Sequence, residues 1–410
     1  MQRLYSILTN LSGVVLKSAG FFSKKIQEFT KGRKDLFPKL QKGIKQEEDY
    51  NWIHAASLGE FEQAVPVMQM LKEEYPQRKI VVSFFSPSGY NNKKQHPLVD
   101  LFTYLPLDTP KNIQKFLDII NPKLVIFIKY DFWPNFLKEL KNRKIRSLLV
   151  SGSFRKEQSF FKPYGKWMRT ALETFEHFFV QNQESVELLN SIGFKNVSLS
   201  GDTRFDRVES QLTFSNKLEF IEEFKGNKLL LVAGSTWPED EDLIIDFINS
   251  SPKNIKFLIA PHEIKEEKIK SLEGKLNKNS TRYSKMGNAQ LDKSQVFILD
   301  TIGLLTKTYS YADIAYVGGA AGNTGLHNIL EPAAFGIPII TGNNVQKFPE
   351  AIALNRLAGL FRVQNKQEFA AILNKLAKNS KFRRETGMIA GHYISSNTGA
   401  TRILREYLRS

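Results

Sequence analysis

The segment 316–350 combines small and polar residues in an order that could bind a nucleotide. An apolar run at 314–317 leads into Gly318-Gly319, and a predicted helix then begins at Ile329-Leu330-Glu331-Pro332. Glycines let a ligand approach the backbone, and a helix N-terminus offers free N–H groups to an anion. Since a glutamate there can also accept ribose hydroxyls, the pattern indicates a nucleotide-sugar site. An ordinary strand–turn–helix connection of a doubly wound sheet has the same outline.

Glu60 is the second residue that could do chemistry. It follows a predicted strand at 52–56 and the turning residue Gly59, and a predicted helix at 61–75 comes next. A carboxylate in this position could take the proton of an attacking hydroxyl group, and the helix dipole would favour its ionised form. The alternative is that Glu60 only caps its helix. Glu62 lies on another face of that helix and is the weaker candidate.

Asp240-Glu241-Asp242 matches the Asp-x-Asp pattern of metal-dependent glycosyltransferases. However, Ser235-Thr236-Trp237-Pro238 just before it has the pattern of a helix start, where acidic residues complement the dipole, so we expect capping. The chain has no cysteine, which excludes disulfides and thiolate sites. We predict neither a metal nor a cofactor, because no two histidines have metal-ligand spacing among His54, His96, His177, His262, His327 and His392.

Short apolar runs alternate with helix-like stretches from residue 50 onward. This alternation predicts βαβ units and parallel sheets, and 410 residues suffice for two domains. We therefore predict an α/β fold of two doubly wound, Rossmann-like domains facing across a cleft, which is the GT-B architecture of many glycosyltransferases. The segment 273–294 is predicted to be a surface excursion. The predicted strands are 52–56, 80–85, 102–105, 124–128, 146–150, 178–180, 197–200, 229–233, 256–259, 296–299, 314–317, 338–341 and 360–363.

Four regions follow from this pattern. We expect a basic segment at 1–46, an acceptor-binding domain at 47–208, a donor-binding domain at 209–385, and C-terminal helices at 386–410 that could pack back on the first domain. Ligands bind outside the carboxyl ends of strands in such sheets, so the polar residues that follow each strand outline the site.

The N-terminal segment 1–46 has ten Lys or Arg and two acids, a net +8 of the total of +16. Its apolar residues repeat at helical spacing, which is typical of an amphipathic helix on an anionic membrane surface. Docking of this helix on its own protein is the alternative. No apolar run is long enough for a transmembrane helix, and no recognition module indicates nucleic-acid binding. The apolar positions are Leu4, Ile7, Leu8, Leu11, Val14, Val15, Phe22, Ile26 and Phe29.

Five motifs make a resemblance specific. In chain order they are HAASLGE (54–60), PKLVIFIKYDFWPN (122–135), SGDTRFD (200–206), AGSTWPEDE (233–241) and HNILEPAAFGIPIITG (327–342). Their order and spacing resemble those of the 3-deoxy-D-manno-octulosonic acid (Kdo) transferases of lipopolysaccharide synthesis, over almost the whole chain. The resemblance implies inverting transfer of Kdo from CMP-Kdo to a phosphorylated lipid A precursor (lipid IVA). It also implies peripheral or monotopic attachment at the cytoplasmic face of the inner membrane through the N-terminal segment.

The resemblance also assigns residues. Glu60 corresponds to the general base, and Arg204 to a positive side chain near the reacting centre. Lys129 departs from the family, because better-known members have an acid there; it is better suited to pair with a phosphate or sugar carboxylate. CMP carries one phosphate and needs no metal. The residues implied in donor binding are Ser235, Thr236, Pro261, His262, Ile302, Gly303, Leu304, Asn328, Ile329, Leu330 and Glu331.

Two other readings of the sequence stay open. One is a different enzyme on the same architecture, such as a nucleotide-sugar 2-epimerase with a UDP-binding cleft. The other is a polybasic membrane-associated scaffold without catalysis. Binding of CMP rather than UDP distinguishes these readings from the first.

Overall fold

The computed structural model describes residues 1–19, 23–92, 95–287 and 289–410. The chain divides into two compact units, one of Met1–Arg207 with Thr398–Ser410 and one of Val208–Asn397. The division falls one residue before the predicted boundary at 208/209. The segment 1–46 is part of the first unit rather than a region of its own.

The predicted C-terminal segment 386–410 is split between the two units. The helix Ser380–Ser395 stays with the second unit, because Gly387 approaches the backbone of Gly336 so closely that a Cβ would lie 2.1 Å from its carbonyl oxygen. The helix Ala400–Arg409 belongs to the first unit, where Leu404 is fully buried. Only the last helix therefore packs back on the first unit.

Parallel strands form a seven-stranded sheet in the described part of the first unit, in the order β3-β2-β1-β4-β5-β6-β7. These strands are β1 (Tyr50–His54), β2 (Lys79–Phe84), β3 (Leu101–Tyr104), β4 (Leu124–Ile128), β5 (Arg146–Gly152), β6 (His177–Val180) and β7 (Val197–Leu199). The helices up to the division are α1 (Gln2–Ala19), α2 (Lys24–Gly32), α3 (Leu36–Gly43), α4 (Leu58–Glu74), α5 (Pro87–Asn92), α6 (Pro110–Ile120), α7 (Pro134–Asn142), α8 (Lys166–Leu172), α9 (Gln183–Ser191) and α10 (Thr203–Glu209).

Successive residues of the central strands bury their side chains on opposite faces of this sheet. Trp52 and Phe127 belong to one apolar cluster, whereas their neighbours Ile53 and Ile126 belong to another. Side chains alternate along a strand, so a sheet covered by helices on both faces needs apolar residues at every position. This requirement explains why the strands appear in the sequence as continuous apolar runs.

The described part of the second unit also contains a parallel seven-stranded sheet, in the order β10-β11-β9-β8-β12-β13-β14. Its strands are β8 (Leu229–Thr236), β9 (Ile255–Pro261), β10 (Ser280–Arg282), β11 (Val296–Ile298), β12 (Ile314–Val317), β13 (Ile339–Gly342) and β14 (Leu360–Val363). The remaining helices are α11 (Glu219–Lys225), α12 (Pro238–Ser250), α13 (Glu266–Gly274), α14 (Leu305–Tyr309), α15 (Leu330–Ala334), α16 (Pro349–Arg356), α17 (Lys366–Lys378), α18 (Ser380–Ser395) and α19 (Ala400–Arg409).

Each predicted strand is present with small shifts of its ends, but the prediction of a surface excursion at 273–294 was wrong for β10. This three-residue edge strand lacks an apolar run, so the sequence pattern missed it. Arg282 holds it in place: its side chain is buried, and it donates to Glu266 at 2.9 Å and to Glu273 at 2.6 Å.

Separate helices, α1 to α3, replace the single predicted N-terminal helix, and Phe22 and the side chain of Val14 lie outside the described residues. On one face of α1, Tyr5 donates to Asp108 at 2.8 Å and Ser6 donates to Asn135 at 2.9 Å. Among the described residues, no helix combines the length and the apolar character needed to cross a membrane. Other α1 side chains are more than half exposed, and these are Leu4, Ile7, Leu8, Leu11 and Val15.

Candidate active site

Near the centre of each sheet, the chain connections lead away in opposite directions from two neighbouring strands, and candidate residues flank that point. In the first sheet β1 lies beside β4, so the segments that carry Glu60 and Lys129 leave the sheet as neighbours. In the second sheet β8 lies beside β12, so Ser235 is a neighbour of Gly318. Open α/β sheets bind ligands in the crevice at such a point. The predicted residues therefore form two clusters, one in each unit.

Glu60 lies in the first turn of α4, which begins at Leu58 rather than at the predicted residue 61. Ser57 precedes the helix, and its hydroxyl donates to one carboxylate oxygen of Glu60. The other oxygen lies 3.7 Å from the ammonium group of Lys129, and the Glu60 side chain is 14% exposed. The carboxylate is thus held by two partners and still reaches the surface, as a group that accepts a proton from a bound hydroxyl must.

Lys129 stands in a strained backbone conformation directly after β4. Its φ is 75°, in the left-handed region that residues other than glycine rarely adopt, and its N–H donates to the carbonyl of Val150 on the neighbouring strand at 2.9 Å. Such a conformation costs about 1–3 kcal/mol and persists where surrounding contacts enforce it. The turn directs the ammonium group towards Glu60, which is a contact the sequence did not predict.

A buried hydrogen-bond network holds the turn that carries Lys129. Asp131 accepts from His54 at 2.6 Å and from Trp133 at 2.9 Å. The second ring nitrogen of His54 contacts Ser83 at 2.9 Å, and Ser83 accepts from Trp52 at 2.8 Å. Burial alone would raise the pKa of Asp131, but hydrogen bonding and the charge of His54 hold it below its usual value. His54 therefore connects β1 and β2 to the turn after β4.

Arg204 is linked to the helix of Glu60 through a carboxylate. Its guanidinium donates to Asp202 at 2.8 Å, and Asp202 also accepts from Gln63 at 2.8 Å. Gln63 lies three residues after Glu60 on α4, so the same helix that presents the carboxylate also positions the arginine. The second acid of the motif, Glu62, pairs with Arg207 at 3.1 Å.

In the second unit, Asp240 is fully buried and holds the glycine loop that follows β12. Its carboxylate accepts hydrogen bonds from Trp237 at 2.9 Å, from Gly319 at 2.8 Å and from the hydroxyl of Tyr316 at 2.8 Å. Gly318 leaves no room for a Cβ, which would lie 2.8 Å from the same carboxylate. Burial raises the pKa of Asp240. These contacts give Asp240 the role of a cap and a loop anchor.

Three rings pack together at the carboxyl ends of β8 and β9 and in the glycine loop. Trp237 stacks on His262 with ring centroids 4.5 Å apart, and His327 lies 4.5 Å from His262. The indole N–H of Trp237 donates to His327 at 3.0 Å. Burial, and next the proximity of His262, lowers the pKa of His327 to about 4. At neutral pH His327 is therefore an uncharged acceptor, and the cluster forms an apolar platform with a polar edge.

Glu331 lies in a polar group with two other side chains. It accepts from Thr306 at 2.8 Å and from Asn328 at 3.0 Å. The predicted helix N-terminus is weaker than expected, because α15 has five residues, and the N–H of Leu330 already donates to Asn328 at 3.1 Å. The side chains of Ile329 and Leu330 are buried, so the predicted donor contacts of these two residues would come from their backbone groups.

The other predicted donor residues differ in exposure and in their position on the strands and loops of the second unit. Thr236 is 2% exposed, and its hydroxyl donates to Glu241 at 3.3 Å; its role in donor binding stays a prediction. Ser235 adopts a left-handed φ of 54° at the end of β8. Pro261 ends β9 and pairs with Thr236 across the sheet. Ile302, in contrast, is 90% exposed in the loop before Gly303 and Leu304. Its side chain is therefore accessible to an apolar part of a ligand.

The sequence motifs contained residues whose partners only the structure identifies. These are His54 with Asp131, Gln63 with Asp202, and Glu331 with Thr306. Each of them ends a strand or lies in the turn or helix that follows a strand, and that position is the signal that could have found them. Within the described residues, no group of three His, Asp or Glu side chains is placed to hold a metal ion.

Residues 30–207 match the family described as 3-Deoxy-D-manno-octulosonic-acid transferase (kdotransferase). The 3-deoxy-D-manno-octulosonic acid transferase of Aquifex aeolicus is 28% identical over 387 residues, which cover 92% of this chain and 98% of the relative. That of Haemophilus influenzae is 27% identical over 87% of this chain and 86% of the relative. A bifunctional glycosyltransferase/methyltransferase of Fusobacterium nucleatum is 27% identical over 82% of this chain, which spans 54% of that relative.

Solved structures share the fold. The UDP-GlcNAc 2-epimerase of Neisseria meningitidis bound to UDP-GlcNAc superimposes with a TM-score of 0.61, at 15% identity, over 88% of this chain and 99% of that one. A UDP-N-acetylglucosamine 2-epimerase from Listeria monocytogenes gives a TM-score of 0.58, at 12% identity, over 87% of this chain and 95% of that one. At this identity the likeness concerns the fold alone, and it confirms the predicted GT-B architecture.

Proposed function

We propose that this chain is a glycosyltransferase of the Kdo transferase family, which its residues 30–207 match in agreement with the five motifs, and that it transfers Kdo from CMP-Kdo to lipid IVA with inversion. The observation that carries the proposal is the position of Glu60. Its carboxylate stands at the point where the chain connections of the first sheet lead away in opposite directions, beside the ammonium group of Lys129 at 3.7 Å. A single displacement needs one such carboxylate.

In the proposed reaction, a hydroxyl oxygen of the acceptor attacks the anomeric carbon of Kdo. Glu60 takes the hydroxyl proton as the new C–O bond forms. The bond between the anomeric carbon and the phosphate oxygen breaks, and its electron pair leaves with CMP. Lys129 and Arg204 are the cations that would balance the sugar carboxylate and the phosphate at this edge. No step requires a metal or another cofactor.

The second unit would bind the donor nucleotide. Glu331, which the hydroxyl of Thr306 and the amide of Asn328 hold in place, offers its carboxylate to the ribose hydroxyls. The platform of Trp237, His262 and His327 and the exposed side chain of Ile302 supply apolar surface for a base. A nucleoside monophosphate has one phosphate group, whose negative charge a few N–H donors can stabilise.

We also propose that α1 holds the protein on the anionic surface of the inner membrane, at its cytoplasmic face. Its exposed leucines and isoleucine stand on a face that makes none of the hydrogen bonds of Tyr5 and Ser6. Replacing Leu8 and Leu11 by Asp should weaken binding to vesicles of anionic phospholipid by about tenfold or more, because each leucine contributes apolar burial. Leu357, an exposed leucine of the second unit, provides the matched control as Leu357→Asp. Equal loss in the control would contradict this role of α1.

The fold likeness to UDP-GlcNAc 2-epimerases makes a UDP-sugar epimerase the second candidate. The two candidates differ in the nucleotide they bind, so thermal unfolding with CMP and with UDP separates them. We expect CMP to raise the melting temperature and UDP to leave it nearly unchanged. The decisive experiment incubates the protein with CMP-Kdo and lipid IVA and weighs the products by mass spectrometry. An unmodified acceptor, together with stabilisation by UDP, would overturn the proposal.

A further inference from the structure

A cavity of about 750 Å³ lies in the first unit beneath helix α1. Gly13 and Leu16 of α1 contribute to its walls, as do Phe29 of α2, Phe37 of α3 and Leu107 of the loop before α6. Polar or charged residues form the other part of the lining, and these are Asn10, Thr30, Lys31, Arg33, Lys34, Thr109 and Asn112. A cavity of this size and lining is typical of a pocket for an apolar ligand or for the apolar part of a larger one.

Arg33 is the least exposed of three charged groups that line this cavity, and backbone carbonyls accept its hydrogen bonds. The guanidinium donates to the carbonyls of Leu105, Phe29 and Phe85 at 2.9, 3.1 and 2.7 Å. It also stacks on the ring of Phe29, 3.6 Å from the centroid. In the part of the chain that the structure describes, no carboxylate pairs with it. Burial lowers the pKa of Arg33 to about 9, so the group stays charged at neutral pH.

Two exposed lysines, Lys31 and Lys34, line the same cavity, and neither has a carboxylate partner among the described residues. Three positive groups therefore border a space that apolar residues, among them Leu16 and Phe37, also line. Holding such charges together without a counter-charge is unfavourable, so an anion in the cavity would be stabilised by all three. The ligand that fits has an apolar chain and a phosphate or carboxylate close to it.

The cavity is connected to the segment that carries Glu60. Arg33 donates to the carbonyl of Phe85, and the N–H of Phe85 donates to the carbonyl of Ala56 at 3.2 Å. Ala56 precedes Ser57, whose hydroxyl holds the carboxylate of Glu60. A lipid bound under α1 would therefore place its polar part near the carboxyl edge where we propose that transfer takes place.

We propose that this cavity takes one acyl chain of the phosphorylated lipid acceptor, with an acceptor phosphate beside Arg33, Lys31 and Lys34. The proposal rests on the proposed function, since it assumes a lipid acceptor for Glu60. We choose the lipid acceptor over bulk phospholipid as the occupant of the cavity, because hydrogen bonds connect the cavity to the segment that carries Glu60. The exposed apolar face of α1 would bring the roof of the cavity to the level of the acyl chains.

The test fills the cavity from its roof. A Cβ at Gly13 would lie 3.5 Å from Leu107, so Gly13→Trp places a ring in the space and Gly13→Ala adds one methyl group. We expect Gly13→Trp to raise the KM for acylated acceptor about tenfold, the loss expected when about two methylenes no longer find contact. Gly13→Ala should raise it less. The KM for fully deacylated acceptor and the melting-temperature shift with CMP should not change.

The charged part is tested with Lys31→Gln combined with Lys34→Gln. This variant should raise the KM for the phosphorylated acceptor more than that for an acceptor without phosphate. The matched control is Lys138→Gln, an exposed lysine on α7 outside the cavity, which should behave like the wild type. If Gly13→Trp fails to fold, as judged by circular dichroism, Leu107→Gln changes the opposite wall and serves in its place.

Three results would overturn the proposal. One is an equal change of KM for acylated and deacylated acceptors, and another is no change for either. The third is weaker binding to phospholipid vesicles with an unaltered acceptor KM, which would assign the cavity to bulk phospholipid. Wild-type protein that transfers Kdo to neither acceptor would instead refute the proposed function. Native mass spectrometry of the acylated acceptor bound to wild type and to Gly13→Trp would then decide whether the cavity holds that lipid.

Discussion

The carboxyl edges of the two sheets occupy equivalent places in similar folds but differ in charge and exposure. At the first edge, Glu60 and Lys129 are 14% and 28% exposed and face each other. At the second edge, the carboxylate of Asp240 is fully buried, and the surface combines rings, amides and glycine backbone with the half-buried carboxylate of Glu331. The comparison teaches that topology provides the crevice, while the residues after each strand decide whether it suits proton transfer or nucleotide binding.

Both carboxyl edges contain a residue in a strained backbone conformation. Lys129 follows β4 with a φ of 75°, and Ser235 stands near the end of β8 with a φ of 54°. Both strands border the point where the chain connections lead away in opposite directions. Backbone conformations of this kind are found at functional sites because surrounding contacts can enforce them there. In the first unit the enforcing contacts include the bond of Asp131 to His54.

The largest expected effect separates the chemistry of the first edge from binding at the second. Glu60→Gln should lower kcat for Kdo transfer by about two orders of magnitude or more, the usual contribution of a positioned base. The melting-temperature shift with CMP should remain as in the wild type, because the second unit would bind the nucleotide. Steady-state kinetics and thermal unfolding measure the two quantities. Near-normal turnover of the variant would remove Glu60 from the mechanism.

The next effect concerns donor binding at the second edge. Glu331→Ala leaves the hydroxyl of Thr306 and the amide of Asn328 without their acceptor and should weaken CMP-Kdo binding by about 1–3 kcal/mol. The KM for the donor should rise far more than the KM for the acceptor. Thr306→Val is the companion variant, since it removes the hydroxyl and keeps the carboxylate. Equal effects on donor and acceptor would mean that Glu331 only supports its helix.

A third prediction tests whether Asp240 is structural. Asp240→Asn presents an NH₂ group to donors that need an acceptor, so the free energy of unfolding should fall by about 1–3 kcal/mol. Denaturant unfolding measures this change. EDTA should leave the activity of the wild-type protein unaltered, because the carboxylate is occupied by Trp237, Gly319 and Tyr316. Loss of activity on chelation, restored by magnesium or manganese, would make Asp240 a metal ligand.

The smallest expected effect is a pH dependence of the ring cluster. The pKa of His327 falls from 6.5 to about 4 in the folded protein, so the unfolded chain binds more protons between these values. Its contribution to stability is fully present above pH 6.5 and is lost as the pH falls towards 4. His327→Gln should therefore flatten the fall in unfolding free energy across this range, whereas His392→Gln, at an exposed position on α18, should not. Identical slopes in both variants would contradict the assignment.

The sequence by itself determined the central strands and the residues that follow them at the carboxyl edges of the sheets. Continuous apolar runs predicted the central strands because both faces of each sheet are covered, and the residues after those runs contained Glu60, Lys129 and Asn328. The sequence pattern did not predict the edge strand β10, since ion pairs of the buried Arg282 side chain with Glu266 and Glu273 replace an apolar run there. The central strands were therefore predictable from the sequence pattern, whereas the edge strand β10 was not.

Only the tertiary structure decided which of these residues meet. His54 bonds Asp131, 77 residues further along the chain, and Gln63 bonds Asp202 at a separation of 139 residues. Such contacts depend on which strands become neighbours in the sheet, and no local sequence pattern predicts that pairing. The same reason separates Thr236 and Ile329, which are buried, from Ile302, which is exposed, although all three were predicted to take part in donor binding. Local residue patterns predict strands and helices, but side-chain partners arise when distant strands pair and pack.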